Sequence, residues 1–122
     1  MTATPAQNFM QLTVWQKSHA LVLTVYKLTR PFPREEVFGL TAQMRRSATS
    51  VAANIAEAFK KRSKSDKARI LNISQSSLEE LRYYFILCGD LGYLPKETEA
   101  EEIEQLAPML GGCIQAILDS VS

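Results

Sequence analysis

Six basic residues fall within ten positions: Lys60, Lys61, Arg62, Lys64, Lys67 and Arg69, with Asp66 the one acid among them. Ammonium and guanidinium groups at this density suit the phosphates of a nucleic-acid backbone. The run also surrounds the expected start of a helix, where free backbone N–H groups favour an anion. Arg45 and Arg46 add two charges on the preceding segment. If that segment is helical, they lie roughly 20–25 Å upstream at 1.5 Å per residue. The two groups then share a ligand only if it is long or if a second subunit bridges them. A solvated junction that keeps the domain soluble is the alternative use, and the sequence leaves both open.

Catalysis calls for a convergent set of titratable groups. His19 is the only histidine and has no carboxylate within a turn. The steps Glu35-Glu36, Glu79-Glu80 and Glu101-Glu102 are adjacent pairs. Neighbours in a helix do not face each other, so they form no acid–base couple. A diiron bundle needs Glu-x-x-His motifs on two helices, and none is present. Cys88 and Cys113 lack CxxC spacing and read as reduced, buried thiols, with a core disulfide the alternative. The expectation is a protein that is not an enzyme, with no catalytic residue, no metal site and no cofactor.

Other polar and aromatic residues suggest binding or packing. Ser47, Ser50, Asn54, Glu57 and Lys61 form a polar stripe, in which Glu57 and Lys61 can pair at i,i+4. Arg46, Ser50 and Asn54 would make a hydrogen-bonding strip against another helix or against RNA, the helix being favoured. Tyr83 and Tyr93 are the tyrosines expected at the surface, while Tyr84 and Phe85 fall near an apolar face. These aromatics sit in the acidic half of the chain. Single-strand binders interleave aromatic and basic residues, so this placement favours recognition of a folded RNA by backbone and shape.

The elements that must carry these groups are helices. Val14, Leu21, Val25 and Leu28 recur at helical spacing, which predicts a first helix from about 12–13 to 30. Thr13 is its expected cap, and Pro31 and Pro33 stop it. Phe32 and Phe38 should tuck the connector onto the core. Leu40, Met44, Val51, Ile55 and Phe59 predict a second helix, capped by Thr41 after Gly39. Ala48, Ala52, Ala53 and Ala56 would let another helix approach closely. Ser63 or Ser65 should cap a third helix, which Leu71, Leu78, Leu81, Phe85 and Cys88 carry to Cys88 or Gly89. A fourth helix should start near Thr98, with Glu99, Glu101 and Glu102 in its first turn. Its stripe is Ile103, Leu106, Leu110, Ile114, Ile117 and Val121, with a kink around Pro108. No strand pattern occurs. The fold class is therefore all-α, an up-and-down antiparallel four-helix bundle. Residues 1–122 form one domain behind a loose leader at 1–11.

Composition sets bounds on function. Of the 122 residues, 46% are hydrophobic and 22% charged, which is globular and excludes a disordered chain. No apolar run reaches the roughly 20 residues of a membrane span. Met1 to Gln11 has neither a basic n-region nor an apolar h-region, so an intracellular protein is expected. Net charge is +1, but residues 1–76 hold 12 Lys/Arg against 4 Asp/Glu, and residues 77–122 hold 2 against 9. Such a division fits a polyanion-binding face or head-to-tail pairing of subunits. It also fits antiparallel helices that neutralise each other.

Several segments resemble one family. Leu12-Thr13-Val14-Trp15-Gln16-Lys17, Val25-Tyr26-Lys27-Leu28-Thr29 and Phe32-Pro33 are followed by Phe38-Gly39-Leu40-Thr41-Ala42-Gln43-Met44-Arg45-Arg46-Ser47-Ala48. Then come Ser50-Val51, Asn54-Ile55-Ala56-Glu57, Ser77-Leu78-Glu79-Glu80-Leu81 and Asp90-Leu91-Gly92-Tyr93-Leu94. In order and spacing these are similar to the 23S rRNA intervening-sequence proteins. The chain departs at Ala52, where the family commonly has Pro, and at Ala58, where it has Gly. Ala58 implies that the second helix continues into the basic segment. The resemblance implies a bacterial, cytoplasmic four-helix bundle and a ring-like homo-oligomer, a pentamer. Members are encoded within large-subunit rRNA genes or elsewhere and have no established enzymatic activity. Similar bundles are accessory proteins of diversity-generating retroelements that bind nucleic acid and reverse transcriptase. RNA or other nucleic acid, further copies of the chain and a protein partner are thus the expected partners, with no membrane.

Overall fold

In a computed structural model of the chain, which describes residues 5–96, Thr98 and residues 101–120, four α-helices follow one another. They are α1 (Thr13–Thr29), α2 (Leu40–Lys60), α3 (Lys64–Leu91) and α4 (Glu101–Asp119). No strand occurs among the described residues. α2 packs between α1 and α3, and α4 between α3 and α1, while the diagonal pairs stay apart. Short connectors make each neighbour antiparallel, as expected for an up-and-down bundle. Each helix sends an apolar stripe to the centre: Val25, Met44, Leu81 and Ile103, one from each, have no exposed surface.

The start of α1 differs from expectation. Leu12 is the N-cap and Thr13 the first helical residue, with no side-chain cap. A 3-10 turn at Phe9–Gln11 precedes it, itself capped by the Asn8 side chain, which accepts from Met10 N at 2.9 Å. Within residues 1–11, Asn8–Gln11 thus form a capped turn, and the first four lie outside the described residues.

Thr41 does not cap α2 either. Glu36, on a 3-10 turn at Arg34–Glu36, reaches forward, and its Oε1 accepts from Leu40 N at 3.1 Å. Its Oε2 accepts from the Tyr93 hydroxyl at 2.8 Å, tying this connector to the one after α3. A Cβ on Gly39 would stand 2.7 Å from Glu36 Oε1, so glycine is what admits the carboxylate. Phe32 packs against Tyr93, with ring centroids 5.4 Å apart, as the sequence suggests. Phe38 does not tuck in: it is 94% exposed, because Leu40 takes the inward position at the helix start.

α3 begins as expected, with Ser63 Oγ accepting from Asp66 N at 3.1 Å. It passes through Gly89 and ends at Leu91. Gly92, at φ +80°, forms the left-handed cap that only glycine adopts without strain. Gly89 serves a different purpose, since a Cβ there would lie 3.3 Å from Lys96 Cα. α4 runs unbroken through Pro108 and Gly111-Gly112, while the two residues between Thr98 and Glu101, where its start is expected, lie outside the described residues. Glu99 and Val121 lie outside the described residues.

Candidate nucleic-acid interface

Antiparallel packing gathers the basic run at one end of the bundle. There the end of α2 and the start of α3 meet the start of α1 and the end of α4. Lys64 Nζ donates to the Ser120 carbonyl of the α4 terminus at 2.6 Å. Lys67 Nζ donates to the carbonyls of Ala58 and Phe59 at 3.1 and 3.0 Å. It therefore satisfies the open C-terminal end of α2, where a cation also meets the negative end of the helix dipole. Lys61 lies 3.7 Å from Glu57, and Arg69 lies 3.8 Å from Asp66. Exposed pairs of this kind hold their partners weakly. Lys60 and Arg62 are exposed, with no acidic partner among the described residues.

The two arginines of α2 diverge. Arg45 clamps α2 to α1: its Nε donates to Thr29 Oγ1 at 2.9 Å, and its guanidinium sits 4.5 Å above the Tyr26 ring. Arg46 is exposed on the α3 side, within electrostatic reach of Tyr84. The eight basic candidates thus form no single patch. Lys60, Lys61, Arg62, Lys64, Lys67 and Arg69 share the bundle end, while Arg45 and Arg46 stand apart on different faces of α2.

Apart from Glu57, Asp66 and Asp119, the acids lie elsewhere. Arg82 of α3 sits between Glu79, at 3.1 Å, and Glu104 of α4. Thr24 Oγ1 donates to Glu102 at 3.3 Å. Because α4 runs antiparallel to α3, its acidic start lies beside the end of α3, a bundle length from Lys60–Arg69. Among the described residues, the one ion pair between helices is Arg82–Glu104. The neutralisation of basic by acidic helices that the sequence left open is confined to that contact.

The polar stripe of α2 is structural. Ser50 and Ser77 hydroxyls are 2.8 Å apart, Asn54 Nδ2 donates to Ser50 O at 2.8 Å, and Ser74 Oγ donates to Val51 O at 2.9 Å. Arg46 stands outside this network.

At the basic end the four helices also line an open apolar pocket of about 300 Å³, bordered by Leu12, Phe59, Leu71, Cys113 and Ile117, with Lys67 its one charged residue. No acid–base set converges there. Burial pushes the Cys113 thiol above its ordinary value. Cys88, wholly buried, donates to Met44 Sδ at 3.4 Å; its thiol is pushed up to about 11, by burial first and then by the Glu36 charge. Both cysteines are free. Among the described residues no three His, Cys, Asp or Glu side chains are placed to hold a metal, and no helix is long and apolar enough to cross a membrane.

An aromatic cluster was not anticipated. His19 stacks on Trp15, with centroids 5.0 Å apart and planes within 6°. Phe9 meets the Trp15 ring edge-on at 5.1 Å. The i,i+4 spacing of Trp15 and His19 was the signal available in sequence. Of the tyrosines, Tyr83 is exposed as expected. Tyr93 is half-buried, because its hydroxyl is held by Glu36.

The pattern that defines the 23S rRNA-intervening sequence protein family matches residues 10–115. A similar solved structure is the crystal structure of a protein of unknown function from the S23 ribosomal protein family of Bacteroides thetaiotaomicron. It is 25% identical, the match covers 87% of this chain and 95% of that one, and the TM-score is 0.60. No curated protein matches the chain.

Proposed function

This chain belongs to the 23S rRNA-intervening sequence protein family, and we propose that it is a non-enzymatic, self-associating bundle that binds RNA through its basic end. One observation carries the reading: the charge is segregated along the long axis. Lys60 and Arg62 project into solvent, and Glu101, Glu102 and Glu104 of α4 lie at the far end, with only Asp119 of that helix near the basic end. Phosphates meet there both mobile cations and the N-terminus of α3. Lys60, Lys61, Arg62, Lys64 and Arg69 are the contacts to phosphate. Lys67 contributes charge but is committed to the α2 terminus. Arg46 adds a contact for an RNA that extends along the bundle. The family's name supports the class of partner.

The experiment is a salt series with a fluorescent, structured rRNA fragment. The double reversal K60E/R62E should weaken binding at least tenfold and flatten the slope of log affinity against log salt, with the melting temperature unchanged. An unchanged affinity in a folded variant overturns the proposal. The same axial polarity supports a second reading, a protein scaffold in which the acidic end of one copy or partner meets the basic end of another. In that case high salt dissociates the assembly and RNA does not compete with it.

A further inference from the structure

The groove between α1 and α2 joins aromatic rings to cations without an intervening acid. On α1, Trp15, His19 and Tyr26 lie along one line of the helix, since steps of four, seven and eleven residues return to one face. On α2, Arg45, Thr49, Ala53, Ala56 and Lys60 do the same. The contacts of Arg45 with Tyr26 and Thr29 fix the register of the antiparallel pair. They set His19 abreast of Ala53 and Trp15 between Ala56 and Lys60. The floor is low because its residues are small, and Ala53 is exposed. From Arg45 to Lys60 the groove runs about 22 Å at 1.5 Å per residue.

Its charge has one sign. No Asp or Glu occurs before Glu35, so α1 has none, and Glu57 is the only acid of α2. Glu57 borders the groove one turn beyond Ala53, turned toward the Ser50–Asn54 side, where it pairs with Lys61 at 3.7 Å. A ring stack also stands open: one face of the His19 imidazole covers Trp15, and His19 is exposed. A base laid on the other face would continue the stack from Trp15. Farther along, the Arg45 guanidinium over Tyr26 offers a second planar surface. Stacking rings interleaved with cations along a groove suit an unpaired strand, whose bases are free to splay out. A duplex hides those faces.

We infer that the α1–α2 groove is a track for an unpaired segment of nucleic acid, continuous with the basic end. This rests on the nucleic-acid reading above and narrows it to an RNA with a single-stranded extension. It also overturns the expectation that stacking residues belong to the acidic half alone.

Trp15 is the only tryptophan, so its emission reports on the track directly. The full chain is titrated with a short oligouridylate, a short oligoadenylate and a blunt RNA duplex of equal length, following anisotropy and Trp15 fluorescence together. The single strands should quench Trp15, and the duplex should bind without quenching. His19→Ala and Ala53→Glu, both at exposed positions, should each weaken single-strand binding about tenfold or more, about the loss of one stacked base. Duplex affinity should be unchanged in His19→Ala. Strands that bind without quenching, or variants that bind them as the wild type does, overturn the track while leaving the basic end as the RNA site. Absence of binding by every probe overturns both.

Discussion

Lys67 and Lys60 are indistinguishable as letters in a basic run, yet they have different roles. Lys67 is half-buried and donates to the Ala58 and Phe59 carbonyls at the end of α2, whereas Lys60 is exposed. Residue type and spacing locate a charge, and only its contacts say whether it is free to bind. Glu36 teaches the same lesson for an acid. Its carboxylate is held below its ordinary value of 4.5, first by the Leu40 N–H and then by the Tyr93 hydroxyl. Both bonds favour the charged form. A carboxylate with a lowered folded-state pKa adds stability at pH above the ordinary value, and that stability is lost as pH falls through the lowered one. Glu36→Gln should therefore unfold at lower urea than the wild type at pH 7, and the gap should narrow as pH drops below 4.5. A gap that stays constant with pH would mean that Glu36 acts by shape alone.

At the scale of the element, helix existence was legible throughout, and N-capping was legible at α3 but not at α1 or α2. The apolar periodicity of α1, α2 and α3 survives in the structure because one stripe of each helix is buried. Caps depend on what precedes the helix. Thr13 and Thr41 have suitable hydroxyls, but Thr13 is already inside α1 behind Leu12, and at α2 the Glu36 carboxylate accepts from Leu40 N instead. At α3 the local signal is sufficient, and of the two candidate serines it is Ser63 that binds Asp66 N. Ser63→Ala should cost about 1 kcal/mol of unfolding free energy, as loss of an N-cap does. Ser65→Ala should fall within about 0.5 kcal/mol of the wild type, as surface changes do. Equal losses in chemical denaturation would return the cap to both residues. Ala58 continues α2 by only two residues, to Lys60, before Lys61 turns extended. α2 thus reaches the basic run, as expected from Ala58, and stops short of joining α3.

For the whole molecule, two large apolar residues show how far packing decides energetics. Leu81 has no exposed surface and Phe38 is 94% exposed. Leu81→Ala should lower stability by about 2–5 kcal/mol, the cost of a core cavity. Phe38→Ala should change it by less than about 0.5 kcal/mol. Urea midpoints measure both, and a large loss at Phe38 would place that ring in a contact between copies. The sequence by itself determined four helices, their order and their inward stripes. Those depend on period and on local stops, and the resemblance to the family rested on the same residues. It also determined that the charge divides between the halves. Where that charge goes was decided by the antiparallel path of the chain. Folding α4 back along α3 carried Glu101, Glu102 and Glu104 away from Lys60–Arg69 and left only Asp119 of that helix near the basic end. Laying α1 against α2 brought Trp15 and His19 into one groove with Arg45 and Lys60, residues 26–45 positions apart in sequence. Separations of that length are invisible to local pattern, because the interactions that close them exist only once the core has packed.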